Sequence, residues 1–351
     1  MNRRKFLTHS AGSVAGLAAL SGCIGNTENS GQTLTVAAYS SFTGDGTAGN
    51  WLKSSFESKN PETTVTFQTT ENGVNEFIQR RSQDVPIDAD LFVGLNTGEL
   101  VRADEQLDDS LFAATGDRID GIEEVKSDLD FDPAGRVVPY DTGYISLVYD
   151  EDEVDEPATF DSLLEPQYEN ELLTQNAEGS DPGRAFLLWT ISQKGPDGYL
   201  DYWNQLADNG IQILSDWGTA YEAYQDEEAS MVVSYSTDQV YYHGDDVDIS
   251  RHQVGFLNDQ GYANPEGMAQ FADANNPELA REFMSFMLSE EAQAEIATRN
   301  VQFPAVEGVD PGGDFGEFAL EPPEAVTYSY DDLVGNVGGW IDEWARQIVS
   351  N

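Results

Sequence analysis

The most constraining feature of the chain is an alternation between two hydrophobic periods. LTVAAYSSF, from Leu34, reads as a strand, and WLKSSFESKN, from Trp51, spaces its apolar residues as a helix does. TVTFQTT is extended again, GVNEFIQRRSQD is helical, and DADLFVGLN is a strand followed by TGELVRADEQL. Strand–helix repeats of this length predict βαβ units and a mostly parallel sheet. VVPYDTGYISLVYDEDEV then stays extended with no helix to return it, so it is predicted to carry the chain into a second domain. A length of 351 residues agrees with two domains.

Beyond that crossing the pattern turns helical. TFDSLLE and PGRAFLLWTISQKG are predicted helices, the second capped by Ser180 or Asp181 with Pro182 at its first position. YLDYWNQLADNG ends at a C-cap, Gly210. IQILSDW and MVVSYST are strands flanking the helix GTAYEAYQDEEA. ANNPELAREFMSFMLSEEAQAEIATRN is an amphipathic helix pair, and the last segment ends helical. The sum is two α/β lobes joined by more than one crossing, with a cleft between them.

Charge excludes one class of partner. Seventeen Lys and Arg face 64 Asp and Glu, for a net −47. Residues 1–23 hold three of the basic residues and no acid, so the remainder has fourteen against 64, or −50. Nucleic acid is excluded, since phosphate neutralisation needs Lys and Arg. Such a surface suits molar salt, where screening shrinks to about 3 Å.

Cys23 is the one cysteine. Before it stand Arg3-Arg4 and AGSVAGLAALSG, a charged region and then a small-residue run too short to span a bilayer. Paired arginines predict export of a folded protein, and LSGC resembles a lipobox that makes Cys23 a lipidated first residue. IGNTENSGQ then reads as a tether. The predicted location is the outer face of the cell membrane.

No catalytic pattern emerges. The three histidines lack metal-ligand spacing, and neither GxSxG nor a phosphate loop follows a strand. Aromatic and small polar residues instead recur where strands end: Tyr39-Ser40-Ser41, Asn96-Thr97, Tyr140-Asp141, Ser215-Asp216-Trp217, Ser234-Tyr235-Ser236-Thr237 and Tyr241. Ligands of open α/β sheets bind outside the carboxyl ends of strands. Singly, each ring is equally explained by packing; together they outline a binding cleft for a flat or cationic ligand.

From Thr33 onward the chain resembles the thiamine-binding substrate-binding proteins of ABC importers. Their YDSF corresponds to Tyr39–Phe42, ADVVLGL to Ala89–Leu95 and VPFDYGYFAFVYD to Val138–Asp150. GWSEAY is similar to Trp217–Tyr221, SYTTSPAYH to Ser234–His243, PELAQKFLQFM to Pro277–Met287 and WISEWQR to Trp340–Arg346. The resemblance implies a two-lobed, class II type periplasmic-binding-protein fold that closes over thiamine or its phosphates. It further implies a protein that is not an enzyme, needs no cofactor or metal, and delivers its ligand to a permease; a monomer is expected. Residues 33–144 with 255–306 are expected to form lobe I, and 145–254 with 307–351 lobe II. Carried over by position, the ring contacts are Tyr39, Trp217, Tyr235 and Tyr241, with Tyr242 facing away. Asn72 stands near the aminopyrimidine, while backbone N–H groups of Gly179 and Ser180 receive the hydroxyethyl or phosphate end.

Three positions depart from that pattern. Val301 replaces a stacking Trp, Asn72 replaces an acid, and Asp181 replaces a Thr where it would repel phosphate unless Arg184 screens it. A pyrimidine precursor, a polyamine or ferric iron are the alternative cargoes, iron because Tyr241, Tyr242 and His243 are adjacent. A thiaminase-type enzyme would need a cysteine nucleophile that the chain lacks beyond Cys23.

Overall fold

The computed structural model describes residues 31–349 apart from 71, 245 and 246. Cys23, the twin arginines and most of the tether lie outside the described residues. In chain order the elements begin β1 (Gln32–Ala38), α1 (Ser40–Thr43), α2 (Ala48–Lys59), β2 (Thr63–Thr69), α3 (Asn75–Ser82), β3 (Leu91–Leu95) and α4 (Thr97–Gln106). The strand β4 (Val137–Tyr149) then leads to β5 (Leu172–Gln175), α5 (Asp181–Lys194), α6 (Tyr199–Asp208), β6 (Gln212–Leu214), α7 (Trp217–Gln225), β7 (Met231–Tyr235) and β8 (Gln253–Gly255). The return runs through β9 (Gln260–Gln270), α8 (Pro277–Met287), α9 (Glu290–Asn300) and β10 (Phe303–Pro304). Last come α10 (Gly313–Phe318), β11 (Glu324–Val326), α11 (Tyr330–Leu333) and α12 (Val337–Trp344).

The strands form one curled sheet in the order β2-β1-β3-β9-β4-β7-β5-β6, with β8 and β10 on β4 and β11 on β9. Its two ends are parallel, as the βαβ pattern requires. Its middle is antiparallel, because β9 pairs with β3 on one side and β4 on the other. That corrects the expectation of a mostly parallel sheet. GYANPEGMAQ, within β9, carries the residues that ordinarily break strands. The ladder accommodates them at irregular register, between Pro139 and Asp141 and between Val93 and Leu95. Gly267 is obligatory there, since a Cβ would lie 2.2 Å from Val137 Cγ1.

β4 and β9 also join the two halves. Val138 and Tyr140 pack with Leu34, Val36 and Phe283 in the first core, whereas Ile145 and Leu147 pack with Trp189, Trp203 and Trp344 in the second. Along β9 the order is reversed: Leu257, just before it, and Tyr262 belong to the second core and Met268 to the first. Each large apolar side chain so buried contributes about 1.5–3 kcal/mol. The C-terminal segment links the halves once more, Tyr330 donating to Asp104 Oδ2 at 2.7 Å and the Gly335 N–H to Glu105 Oε1 at 2.5 Å.

Two local expectations are corrected. TFDSLLE forms only a turn of 3-10 helix at Ser162–Leu164. Pro182 occupies the second position of α5, behind the Ser180 N-cap, whose hydroxyl makes no capping bond.

Candidate functional site

A cavity of about 430 Å³ opens between the halves. The seven residues expected to touch ligand, Tyr39, Asn72, Gly179, Ser180, Trp217, Tyr235 and Tyr241, all line it. Tyr39 follows β1, and its ring lies across Gly94 of β3, where a Cβ would be 2.6 Å away. Tyr235 closes β7, and its ring lies on Gly143 of β4, where a Cβ would be 2.5 Å from Cδ1. Both glycines are positions where the backbone must be approached closely.

Trp217 opens α7, held in place by the Asp216 N-cap, whose Oδ1 accepts from the Thr219 N–H at 2.9 Å. Its indole donates to Ser234 Oγ at 3.0 Å and stacks on Tyr221 with centroids 5.0 Å apart. The column continues through Tyr242 at 5.7 Å to His252 at a further 4.0 Å, the last two rings nearly parallel at 6°. Asp238 fixes its far end, accepting from Tyr221 at 2.5 Å and bonding His252 at 2.8 Å. Tyr242 therefore turns from the cleft, and Tyr241 projects half exposed at its rim.

The floor holds a polar cluster in which motif reading missed Glu266 and Asn300. Glu266 of β9 accepts from Tyr39 at 2.8 Å and from Tyr140 at 2.5 Å. Asn300, at the end of α9, donates to Tyr39 at 2.9 Å and to Asp141 Oδ2 at 2.8 Å. Burial pushes the Glu266 carboxyl up to about 7, against the hydrogen bonds from the two phenols. Burial and then Glu266 hold Asp141 well above the usual carboxylate range, against its bond from Asn300. Burial likewise keeps Tyr235 and Tyr39 protonated donors. The missing signal was β9 itself: without a strand at 260–270, Glu266 was one acid among many.

Gly179, Ser180, Tyr140 and Asp141 differ from their expected placing. The N–H groups of Gly179 and Ser180 both go to the Asn176 carbonyl, at 3.3 and 2.9 Å, so neither is offered to an anion. Tyr140 and Asp141 sit inside β4, fully buried, and not at a strand end. Val301 borders the cavity but packs with Val240, Phe303 and Phe315, and it holds a left-handed backbone at φ 56°. For a β-branched residue that conformation is an outlier. Arg184 meets Asp181 at 2.9 Å, the screening that Asp181 required.

Two α/β halves joined by two shared strands, with a ring-lined cavity between, define a small-ligand-binding protein. Residues 51–319 match the bacterial extracellular solute-binding protein family, and the chain belongs to it. It is 28% identical over 321 residues to the thiamine-binding periplasmic protein of Escherichia coli (strain K12), covering 90% of this chain and 93% of that one. A solved periplasmic thiamin binding protein superposes with a TM-score of 0.76 at 26% identity, covering 93% of this chain and 99% of the other. The apo ferric ion-binding protein A of Pasteurella haemolytica superposes at 0.73 with 14% identity, covering 91% of this chain and 99% of the other, a likeness of fold alone. Among the described residues no helix is long and apolar enough to cross a membrane.

Proposed function

We propose that this chain is the substrate-binding component of an ABC importer, capturing thiamine in the cleft and handing it to a permease. The observation that carries the reading is the convergence of Tyr39, Trp217, Tyr235 and Tyr241 from both halves on one cavity with an acidic lining. A thiazolium is a permanent cation, and each well-placed ring contributes about 0.5–2 kcal/mol to holding it. The curated and structural relatives named above support the same ligand. Adjacent Tyr241 and Tyr242 do not favour iron: their rings diverge by 59°, and the Tyr242 phenol accepts from Gln225 at 2.6 Å. Among the described residues no three His, Cys, Asp or Glu side chains are grouped to hold a metal. Twin-arginine export, a lipid at Cys23, a monomeric body and adaptation to molar salt complete the proposal on sequence grounds.

The test is a calorimetric and fluorescence titration of leaderless protein in molar KCl with thiamine and its two phosphates, ferric citrate serving as the rival. One-to-one binding of thiamine with a Trp217 response is expected. Folded protein giving neither heat nor quench with thiamine would overturn the ligand assignment.

A further inference from the structure

Glu99 is the third residue of α4, a helix started by Asn96, whose Oδ1 accepts the Glu99 N–H at 3.0 Å. Its side chain enters the cavity and is only 5% exposed, yet Oε2 has no hydrogen-bond partner. Oε1 reaches over the turn beside Asn72, so close that a Cβ on Gly73 would lie 2.8 Å from it. Of the cleft's other acids, all but the solvent-exposed Glu178 are committed. Glu266 is held by two phenols, Asp238 by Tyr221 and His252, Asp181 by Arg184, and Asp216 by its own helix start. An unpartnered buried carboxyl in the wall of a ligand cavity is a candidate recognition group.

We propose that Glu99 reads the amidine edge of the ligand ring, the ring nitrogen beside an exocyclic amine that a 4-aminopyrimidine presents. The inference rests on the thiamine reading, since thiamine carries that edge, and it supplies the acid that Asn72 does not. The charged groups facing Glu99 are Asp181 and Arg184 from α5 and Arg102 from its own helix, with Asp342 of α12 acting on Arg102. Neither arginine bonds it: Arg184 is engaged with Asp181 and Arg102 with Asn75 Oδ1, each at 2.9 Å. Burial, reinforced by Asp181 and opposed by both arginines, pushes the carboxyl up to about 8. At neutral pH the group therefore keeps its proton, giving one O–H donor and one carbonyl acceptor side by side. The O–H faces the ring nitrogen, and the carbonyl accepts from the amine.

The experiment compares wild type, Glu99→Gln and Glu99→Leu by calorimetry, from about one to two pH units below to above the Glu99 value of about 8. Probes are thiamine, the analogue with a hydrogen in place of the amine, and 4-amino-5-hydroxymethyl-2-methylpyrimidine. Melting curves in the same buffers establish that each variant is folded. Wild type should prefer the amine over hydrogen at that position by about tenfold or more, with affinity falling as pH rises past that value. Glu99→Gln keeps a donor and an acceptor without a proton to lose, so it should bind within a few-fold of wild type and flatten the pH profile. Glu99→Leu should lose the preference. A Leu variant that still prefers the amine, or a Gln variant with the wild-type pH profile, overturns the role of Glu99 while leaving thiamine as ligand. Failure of thiamine with Glu99-dependent binding of the free pyrimidine overturns the thiamine reading and sustains Glu99. If no probe with an amidine edge binds folded wild type, both fall.

Discussion

Asp141 of β4 and Glu266 of β9 stand opposite each other in the ladder that joins the two halves. Asp141 is wholly buried; Glu266 borders the cavity under two phenols. Two carboxyls in this position hold protons longer than free carboxyls do, and that has a thermodynamic signature.

Because the folded Glu266 value of about 7 exceeds the ordinary 4.5, the folded state binds more protons between those limits than the unfolded chain. Stability of the empty protein should therefore fall as pH rises from about 4.5 to about 7. Glu266→Gln should flatten part of that slope and gain about 1–2 kcal/mol at the alkaline end, with little change at the acid end. Melting curves in molar KCl, which screens the surface acids, check this. An identical slope in the variant would remove Glu266 as its source.

Gly143→Ala should push aside both the Tyr235 ring and Gln302 Oε1, which lie 2.5 and 2.3 Å from the place a Cβ would take. Overpacking of this kind costs about 1–3 kcal/mol, so thiamine binding should weaken by about tenfold or more. Gly94→Ala should do the same to Tyr39, with added backbone strain from its φ of +99°. Unchanged affinity in both variants would show that neither ring touches the ligand.

Trp217→Ala removes one wall and should weaken binding by about ten- to thirtyfold. Trp217→Phe retains a ring on Tyr221 but loses the donor to Ser234 and should recover most of it. Fluorescence separates the two effects, since Trp217 is the one tryptophan among the cavity's lining residues.

Thiamine diphosphate should bind at least about tenfold more weakly than thiamine, because like charges in a cleft are costly. Here Gly179 and Ser180 offer no N–H, and Asp181 stands at the start of α5. Asp181→Thr should narrow the gap by strengthening diphosphate binding. A wild type that prefers the diphosphate would refute that account.

The melting temperature should rise steeply with KCl, as screening shortens from about 8 Å at physiological strength to about 3 Å at molar strength. With fourteen basic residues against 64 acidic ones after residue 23, self-repulsion has few internal counterions. A melting temperature independent of salt would contradict adaptation to it.

Much of this was legible because its physics is local. The βαβ alternation survives in β1 to α4 with ends displaced by a few residues, and Tyr39 and Tyr235 stand at strand ends as their spacing predicts. What was hidden depends on partners distant in sequence. β9 is a strand because β3 and β4 pair with both its edges, in spite of Pro265 and Gly267. Glu266 and Glu99 become distinct from the other acids only through what surrounds them. Conversely, the N–H groups of Gly179 and Ser180 are where a helix start puts them, but Asn176 takes both.

The column from Trp217 to His252 has a kinetic consequence. A wall braced by three further rings and pinned by a buried carboxylate does not slump into an empty cleft, so the vacant pocket keeps its final contour on that side. Arrival then needs no rearrangement on that side, which favours fast association.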